Sequence, residues 1–495
     1  MLKQVVVSLF LILGVSSGIS AQENTFLSRS FWKSNPSVAQ LQELVKQGND
    51  PAALTNNGFD GVVYAILSNV NDDAIKYLLA QEGNGVDKRT HDSRTYLFWA
   101  AYKGRVAVMQ HLFDNGASFD VKDSKGNTPV TFTASAGEKS QEVYDLFEKQ
   151  GVVLKDEVNK YGVNALLLIA PFLENEAELN YFLNKGFTLE TLDPLRNNIF
   201  NYATKNGNID FLNLLIKKGI DPKKVNTEGG NAMLYASLGT RNTQNKLETY
   251  QFLESLGVPV NVVGDNGKNP LHTIAAKNKN VAVSEYFIKN GVDVSLKDKE
   301  GNFPFGNASH SNTLEVVKTL FAQVKDVNLK DGEGRSALAL AVASNDANVV
   351  KFLLDNGAAI DTKDNEGNTL AYFLFNERKD KLFSEKLELL KEYNLNFKEI
   401  QGGANTLAHI AVQKNNLSLL KQALAFGVDP NAVNDEGYTA LHISAMKAKD
   451  DAILKYLVSK GANTSIKTDF DESVLDLASE NELLQKNNVE LNFLK

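Results

Sequence analysis

Apolar residues in this chain come in short paired bursts. A segment such as "ALHISA" (440–445) or "ALALAVA" (337–343) is followed by a polar stretch of variable length. A second burst then follows, as in "AIKYLL" (74–79), "FLNLLI" (211–216), "VVKFLL" (349–354) and "ILKYLV" (453–458). In the last two, apolar residues recur at the spacing of one helix face. Glycine often closes the second burst, at Gly116, Gly219, Gly291, Gly357, Gly427 and Gly461. There it suits the left-handed position just past a helix end. The pattern predicts a unit of turn, helix, loop, helix and turn.

The unit repeats. Stretches such as "DKEGNFPFGNAS" (298–309), "DGEGRSALALAV" (331–342) and "NDEGYTALHISA" (434–445) align on one turn position. That anchor falls at 58, 93, 126, 162, 196, 229, 267, 301, 334, 367, 404, 437 and 471. The mean interval of about 34 residues is the mark of a stacked array. Glycine fills nine of the thirteen anchors, the exceptions being Ser93, Arg196, Ala404 and Asp471. Two places on stand Asp60, Thr95, Thr128, Asn164, Asn198, Asn231, Asn269, Phe303, Ser336, Thr369, Thr406, Thr439 and Ser473. All but Phe303 are residue types that cap a helix N-terminus by accepting from a free backbone N–H. Pro129, Pro270 and Pro304 follow directly, where a missing N–H does no harm.

The unit resembles the ankyrin repeat, most plainly in "DEGYTALHISA", "NGKNPLHTIAA" and "GNTPVTFTAS", and in "VVKFLLDNGAAID" and "ILKYLVSKGANTS" for its second half. The resemblance runs from about residue 56 to 480 and implies an all-α, ankyrin-type solenoid. Its helix–turn–helix repeats would carry short β-hairpin-like turns, in about thirteen units plus terminal caps. N-terminal capping helices are expected at 22–55, the array at 56–470, and a C-terminal capping repeat and tail at 471–495. Intervals at 229–267 and 367–404 are long. They place extra residues in or near the loop between helices, at "GTRNTQNK" (239–246) and "NERKDKLF" (376–383). No unit buries both helices alone, so stability must come from neighbours.

Composition narrows the setting. Among 495 residues the formal charge is −8 and cysteine is absent. An acidic chain lacks the concentrated basic face that nucleic-acid binding needs. Lys3, the apolar run from Val5 to Val15 and the small residues "ISA" (19–21) form a secretory signal peptide at 1–21, with cleavage near Ala21. The expected location is the periplasm, or outside the cell. No later run reaches the length of a membrane span. An exported chain without cysteine must be stabilised by packing rather than disulfides.

Candidate chemistry is sparse. His272 and His442 occupy one column of the repeat, and His409 joins them when "TLAHIA" is aligned on Thr406. The resemblance implies that these imidazoles bond to backbone and to neighbouring units rather than react. His91, His111 and His310 have no metal-ligand spacing. "DFDESVLDLASE" (469–480) places Asp469, Asp471, Ser473 and Glu480 at calcium-loop positions, but Val474 stands where the bend needs glycine. A column of rings, Tyr64, Trp99, Phe132, Tyr202, Tyr235 and Phe373, could stack on a ligand but reads better as helix-pair core. Acids cluster at the turn tips from Asp265 onward, with Glu300, Glu333, Glu366 and Glu436.

The resemblance implies protein recognition along a concave face, with no catalytic, cofactor or metal residues. It points Tyr102, Lys103, Lys205, Asn206, Lys277, His310, Lys414 and Lys447 toward that face, with Arg94, Lys268, Arg335 and Tyr438 beside the turns. The expected function is a non-enzymatic scaffold that is monomeric when free and binds a protein partner. The alternative is an inhibitor or immunity-type protein that blocks an enzyme or toxin in the same compartment.

Overall fold

The computed structural model describes residues 24–495. The expected signal peptide and its cleavage point lie outside the described residues. Two compact units divide the chain. One holds the described residues up to Ile169 with Ala177–Thr188, and the other holds Ala170–Glu176 with Leu189–Lys495.

Thirteen helix pairs follow one another among the described residues. The first helices are Gly61–Leu67, Tyr96–Tyr102, Pro129–Ser135, Ala165–Ile169, Ile199–Ala203, Ala232–Leu238, Pro270–Lys277, Pro304–Ser311, Ala337–Ser344, Leu370–Phe375, Leu407–Gln413, Ala440–Lys447 and Val474–Glu480. They define repeats 1 to 13. The second helices run from Asp72–Leu79 in repeat 1 to Glu482–Lys486 in repeat 13. A further helix, Val38–Lys46, precedes them, opened by a capping box between Ser37 and Gln40. Among the described residues β pairing is confined to single bridges across turns, such as Lys330 to Ser336 and Val433 to Thr439. The fold is an all-α solenoid.

Within each unit, first helices pack on first helices and second helices on second helices. The first-helix layer is built largely of small residues, as in Ala275, Ala308, Ala337, Ala339, Ala341 and Ala411, so its backbones approach closely. Bulkier side chains, among them Phe211, Phe287, Leu320 and Leu353, fill the space between the two layers.

The anchor column is a conformational column. All nine anchor glycines have positive φ, and so do Ser93 (58°), Arg196 (68°), Ala404 (55°) and Asp471 (64°). The turn therefore demands the left-handed region even where the sequence supplies no glycine. Successive turns are tied by backbone rungs: Ser124 N–H to Asp92 carbonyl (2.8 Å), Asp265 to Glu228 (2.7 Å), Lys299 to Asn266 (2.9 Å) and Asn365 to Glu333 (2.9 Å).

Two positions behave differently from the sequence reading. Phe303, the exception in the capping column, lays its buried ring over Gly306, where an added Cβ would lie 2.8 Å from it. One large residue and one glycine thus replace a polar cap and its partner. The stretch "NERKDKLF" is only partly loop, because its last four residues open the 13-residue helix Asp380–Glu392. "GTRNTQNK" does form the interhelical loop, closed by Thr240 N–H to the Thr243 carbonyl at 2.9 Å.

Candidate interaction surface

The histidine column is inside the molecule. Nδ1 of His272, His409 and His442 accepts from the backbone N–H of Asn269, Thr406 and Thr439, each at 3.1 Å. Nε2 then donates to a carbonyl farther along the chain: Asn302 (3.2 Å), Tyr438 (3.0 Å) and Ile466 (3.0 Å). Those two bonds require the neutral imidazole with its proton on Nε2. Burial holds all three imidazoles below their ordinary pKa. Each ring is committed at both nitrogens and offers none for catalysis.

A second ladder runs through asparagines at the start of the second helices. Asn278 Nδ2 donates to the Asn245 carbonyl (2.9 Å), Asn312 to Ala275 (2.8 Å) and Asn278 (3.0 Å), and Asn345 to Ser309 and Asn312 (both 2.9 Å). Asn481 repeats the motif on Ala445 and Ala448. Apart from the Asn245 carbonyl, which lies in the interhelical loop, these bonds satisfy carbonyls left over at the ends of the preceding first helices. Sequence reasoning missed this spine, because an asparagine between helices reads as ordinary loop composition. The signal was its recurrence at intervals of 33 or 34 residues from 245 to 345.

Half of the ring column is core: Trp99, Tyr202 and Phe373 are buried, while Tyr64, Phe132 and Tyr235 are half-buried. Trp99 donates to Thr90 Oγ1 (2.9 Å) and Tyr202 to the Asp193 carboxylate (2.7 Å). Ser473 is engaged as a helix cap in a box with Asp476, so its hydroxyl is already used. Among the described residues no group of three or more His, Cys, Asp or Glu side chains is placed to hold a metal ion.

The residues expected on the first-helix face separate into two sets. Arg94 is a correction: it is buried, its guanidinium bonded to Asp123 (2.9 Å) and Asp92 (3.2 Å) and seated 4.1 Å over the Phe132 ring. Asp92 of its own turn, with Asp123 and the Phe132 ring on the next repeat, draws it inward. Arg335 is held by Asp331 and Glu333, both at 2.8 Å, and Lys268 by Glu300 (3.2 Å) and Asp298 (3.5 Å). Glu300 and Glu333, two of the tip acids, are thereby partly neutralised. Half-buried Tyr438 lends its carbonyl to His409.

The second set stands at the ends of the first helices. In the second unit Lys205, Lys277, Lys414 and Lys447 occupy this place, and Lys103 holds the equivalent position in the first. None of the five has an ion pair among the described residues. Lys277, Lys414 and Lys447 are exposed. Burial lowers the pKa of Lys205, against the pull of Asp193; its ammonium lies 4.9 Å from the Tyr202 ring and 5.3 Å from the Tyr235 ring. Burial and the charge of Arg378 lower that of Lys414. His310 stands in the same column, its pKa held low by partial desolvation of the imidazole and by the charge of Arg335. Asn206 is exposed and accepts from Thr243 Oγ1 at 2.9 Å. Tyr102 is half-buried against Phe132.

Thirteen repeats of turn, first helix and second helix, three of them tied onward by imidazole bridges, define a stacked repeat protein. A family model described as ankyrin repeats (3 copies) matches residues 33–123, 234–331, 305–380 and 384–491. The chain belongs to the ankyrin repeat family. It is 22% identical over 280 residues to the NAD-dependent deacetylase sir2B of Dictyostelium discoideum, covering 55% of this chain and 34% of that one. The 26S proteasome non-ATPase regulatory subunit 10 of the same organism is 42% identical over 64 residues, or 13% of this chain and 28% of its own. The chain thus spans about a third of the length of these two relatives. Among solved structures, the human ASB11 ankyrin repeat domain aligns with a TM-score of 0.38 and 22% identity, over 44% of this chain and 96% of that one. The ankyrin fold is generally a non-enzymatic interaction domain for protein partners. No helix among the described residues is long and apolar enough to cross a membrane.

Proposed function

We propose that the chain is an exported interaction scaffold, without catalytic chemistry of its own, that holds an acidic segment of a protein partner against the ends of its first helices. The observation that carries this reading is the column of lysines without counter-ions. Lys268 and Arg335, at the turns, are matched by carboxylates, while Lys205, Lys277, Lys414 and Lys447 in the second unit are not. Lys103 in the first unit is likewise unmatched. Unpaired cations aligned on one face favour a partner of opposite sign and set its association rate. Asn206, His310 and Tyr438 in the second unit, and Tyr102 in the first, would supply polar and aromatic contacts beside them. The charged start, apolar run and small residues of 1–21 support export to the periplasm.

The test is charge reversal. The chain carrying Lys205→Glu, Lys277→Glu and Lys414→Glu is compared with wild type in a pull-down from periplasmic extract. Lys217→Glu, at an exposed position on a second helix, is the control. Loss of the captured partner in the triple variant alone, with wild-type capture weakened by salt, supports the reading. Unchanged capture by the triple variant overturns it.

A further inference from the structure

Most turn tips in this chain are polar, with Glu228, Glu300, Glu333, Glu366 and Glu436 at the residue before the anchor. Three tips depart from this, Tyr161, Leu195 and Phe470; Leu195, in repeat 5, is 36% exposed. Beside it, repeat 6 turns Leu234 and Tyr235 partly outward and leaves Leu238 39% exposed at the end of its first helix. Together with Lys268 of repeat 7, and with the polar Asn226, Glu228, Asn266 and Thr273, these residues line a cleft of about 150 Å³, all within the second unit. Isolated exposed leucines need no explanation, but two converging on one concavity with a tyrosine between them are a recognition feature. The volume is about that of a benzene ring.

The charge beside the cleft is defined as well. Lys205, with no carboxylate at ion-pair distance, rests its ammonium 5.3 Å from the Tyr235 ring that forms the cleft wall. Lys277 follows in the next repeat, exposed and unpaired. A hollow of one-ring size, apolar along its leucine and tyrosine side and with Lys205 and Lys277 beyond it, complements a ring-bearing side chain whose flanking carboxylates lie toward the lysines and away from Glu228. We infer that the cleft between Leu195, Leu234, Tyr235 and Leu238 is the anchoring pocket for one aromatic side chain of an acidic partner segment. This rests on the acidic-partner reading above and adds to it the residue that fixes the segment's register. Such an anchor, buried at the centre of a polar contact, carries a disproportionate share of binding energy.

The probe is a dye-labelled synthetic nonapeptide with a central tryptophan and four alternating Asp and Glu residues on each side. Its counterparts carry a central alanine, or lysines in place of all the acids. Fluorescence anisotropy is read with the full chain, its Leu238→Glu and Leu195→Ser variants and the Lys217→Glu control. Circular dichroism checks that each is folded, and Leu195→Ser at an exposed tip serves if Leu238→Glu is not. The acidic tryptophan peptide is expected to bind wild type and control. Alanine in the peptide, or either cleft substitution, is expected to weaken binding roughly tenfold or more. Equal binding of the tryptophan and alanine peptides overturns the pocket and leaves the lysine-face reading standing. Failure of both acidic peptides, or equally tight binding of the lysine peptide, overturns both.

Discussion

The Nε2 of His442 donates to the carbonyl of Ile466 across 3.0 Å, carrying a bond from the first helix of repeat 12 to the turn of repeat 13. The same ring accepts the Thr439 N–H on its other nitrogen, so its bridge exists only while the imidazole is neutral.

That requirement makes the array sensitive to mild acid. Burial places His272, His409 and His442 below their ordinary value of about 6.5. Below that value the unfolded chain binds more protons than the native one, so stability falls as pH drops and is complete above about pH 7. The loss should approach about 1 kcal/mol per imidazole per pH unit, in a range where ordinary carboxylates have not begun to protonate. Urea melts between pH 7.5 and 5.5 should show it, and His409→Gln with His442→Gln should flatten the slope. A glutamine keeps the cap, as Gln40 does for the Ser37 N–H at 2.8 Å. A slope unchanged by both substitutions would remove the histidines as its source.

Repeat 10 replaces the asparagine spine with a charge. Lys386 Nζ donates to the Val342 carbonyl (2.6 Å) and to Glu377 (2.8 Å), with the lysine side chain fully buried and the carboxylate nearly so. Burial pulls the lysine pKa down against the pull of Glu377, while the lysine and two backbone N–H groups hold the glutamate low despite its own burial. Removing one partner leaves the other charge uncompensated. Lys386→Met should therefore cost about 3–5 kcal/mol in denaturant melts. Glu377→Gln combined with Lys386→Met should recover part of that, since only the Val342 carbonyl then lacks a donor. A double variant as unstable as the single would show that the ion pair is not what the lysine supplies.

Arg196 holds an anchor turn at φ 68°, exposed, where nine other repeats have glycine. A side chain in the left-handed region costs about 1–2 kcal/mol, part of which glycine gives back through its freer unfolded chain. Arg196→Gly should therefore stabilise the second unit by about 0.5–1 kcal/mol in thermal melts. Gly437→Ala is the reciprocal test: φ is 80° there and an added Cβ would meet the Asp469 carboxylate at 2.7 Å. It should lose stability by more than Arg196→Gly gains. Opposite signs at these two positions are the prediction.

The parts of the fold legible in the sequence are those enforced at single positions. A left-handed anchor wants glycine, a helix start wants Asp, Asn, Ser or Thr, and both recur at one period, so the register of thirteen repeats could be read directly. Side-chain reach was not legible. Arg94 and Arg335 occupy like places after the anchor, yet one is buried over Phe132 and the other half-exposed beside Glu333. Arg335 finds Asp331 at the start of its own turn, where Arg94 has Thr90 and reaches Asp123 on the next repeat. Phe303 and Gly306 could be understood only as a pair, because each breaks its own column and the contact between them restores the packing. Leu195 was overlooked for a simpler reason: one apolar residue in a turn carries no weight until Leu238 is seen beside it.

The asparagine spine yields the sharpest structural prediction. Asn312 is buried and its Nδ2 is shared by the carbonyls of Ala275 and Asn278, so it closes the end of repeat 7's first helix from repeat 8. Its Oδ1 meanwhile accepts the Thr313 N–H at 2.8 Å. Asn312→Ala strips two buried carbonyls of their donor, at about 1–3 kcal/mol for each group left unsatisfied. Asn312→Asp keeps the shape and the Thr313 bond but turns the donor into an acceptor, placing a carboxylate against two carbonyls. It should be the worse of the two near neutral pH and should recover on acidification, when the carboxyl regains a proton to donate. This is opposite in sign to the histidine effect and separable from it. Hydrogen exchange offers the local readout: amides of Pro270–Lys277 and Pro304–Ser311 should lose protection in both variants. Those of Ala440–Lys447, four repeats away, should be unmoved, since coupling in a stacked array passes mainly between neighbours. Uniform loss along the whole second unit would instead mean that the unit unfolds as one body, and the spine would then be a global rather than a local tie.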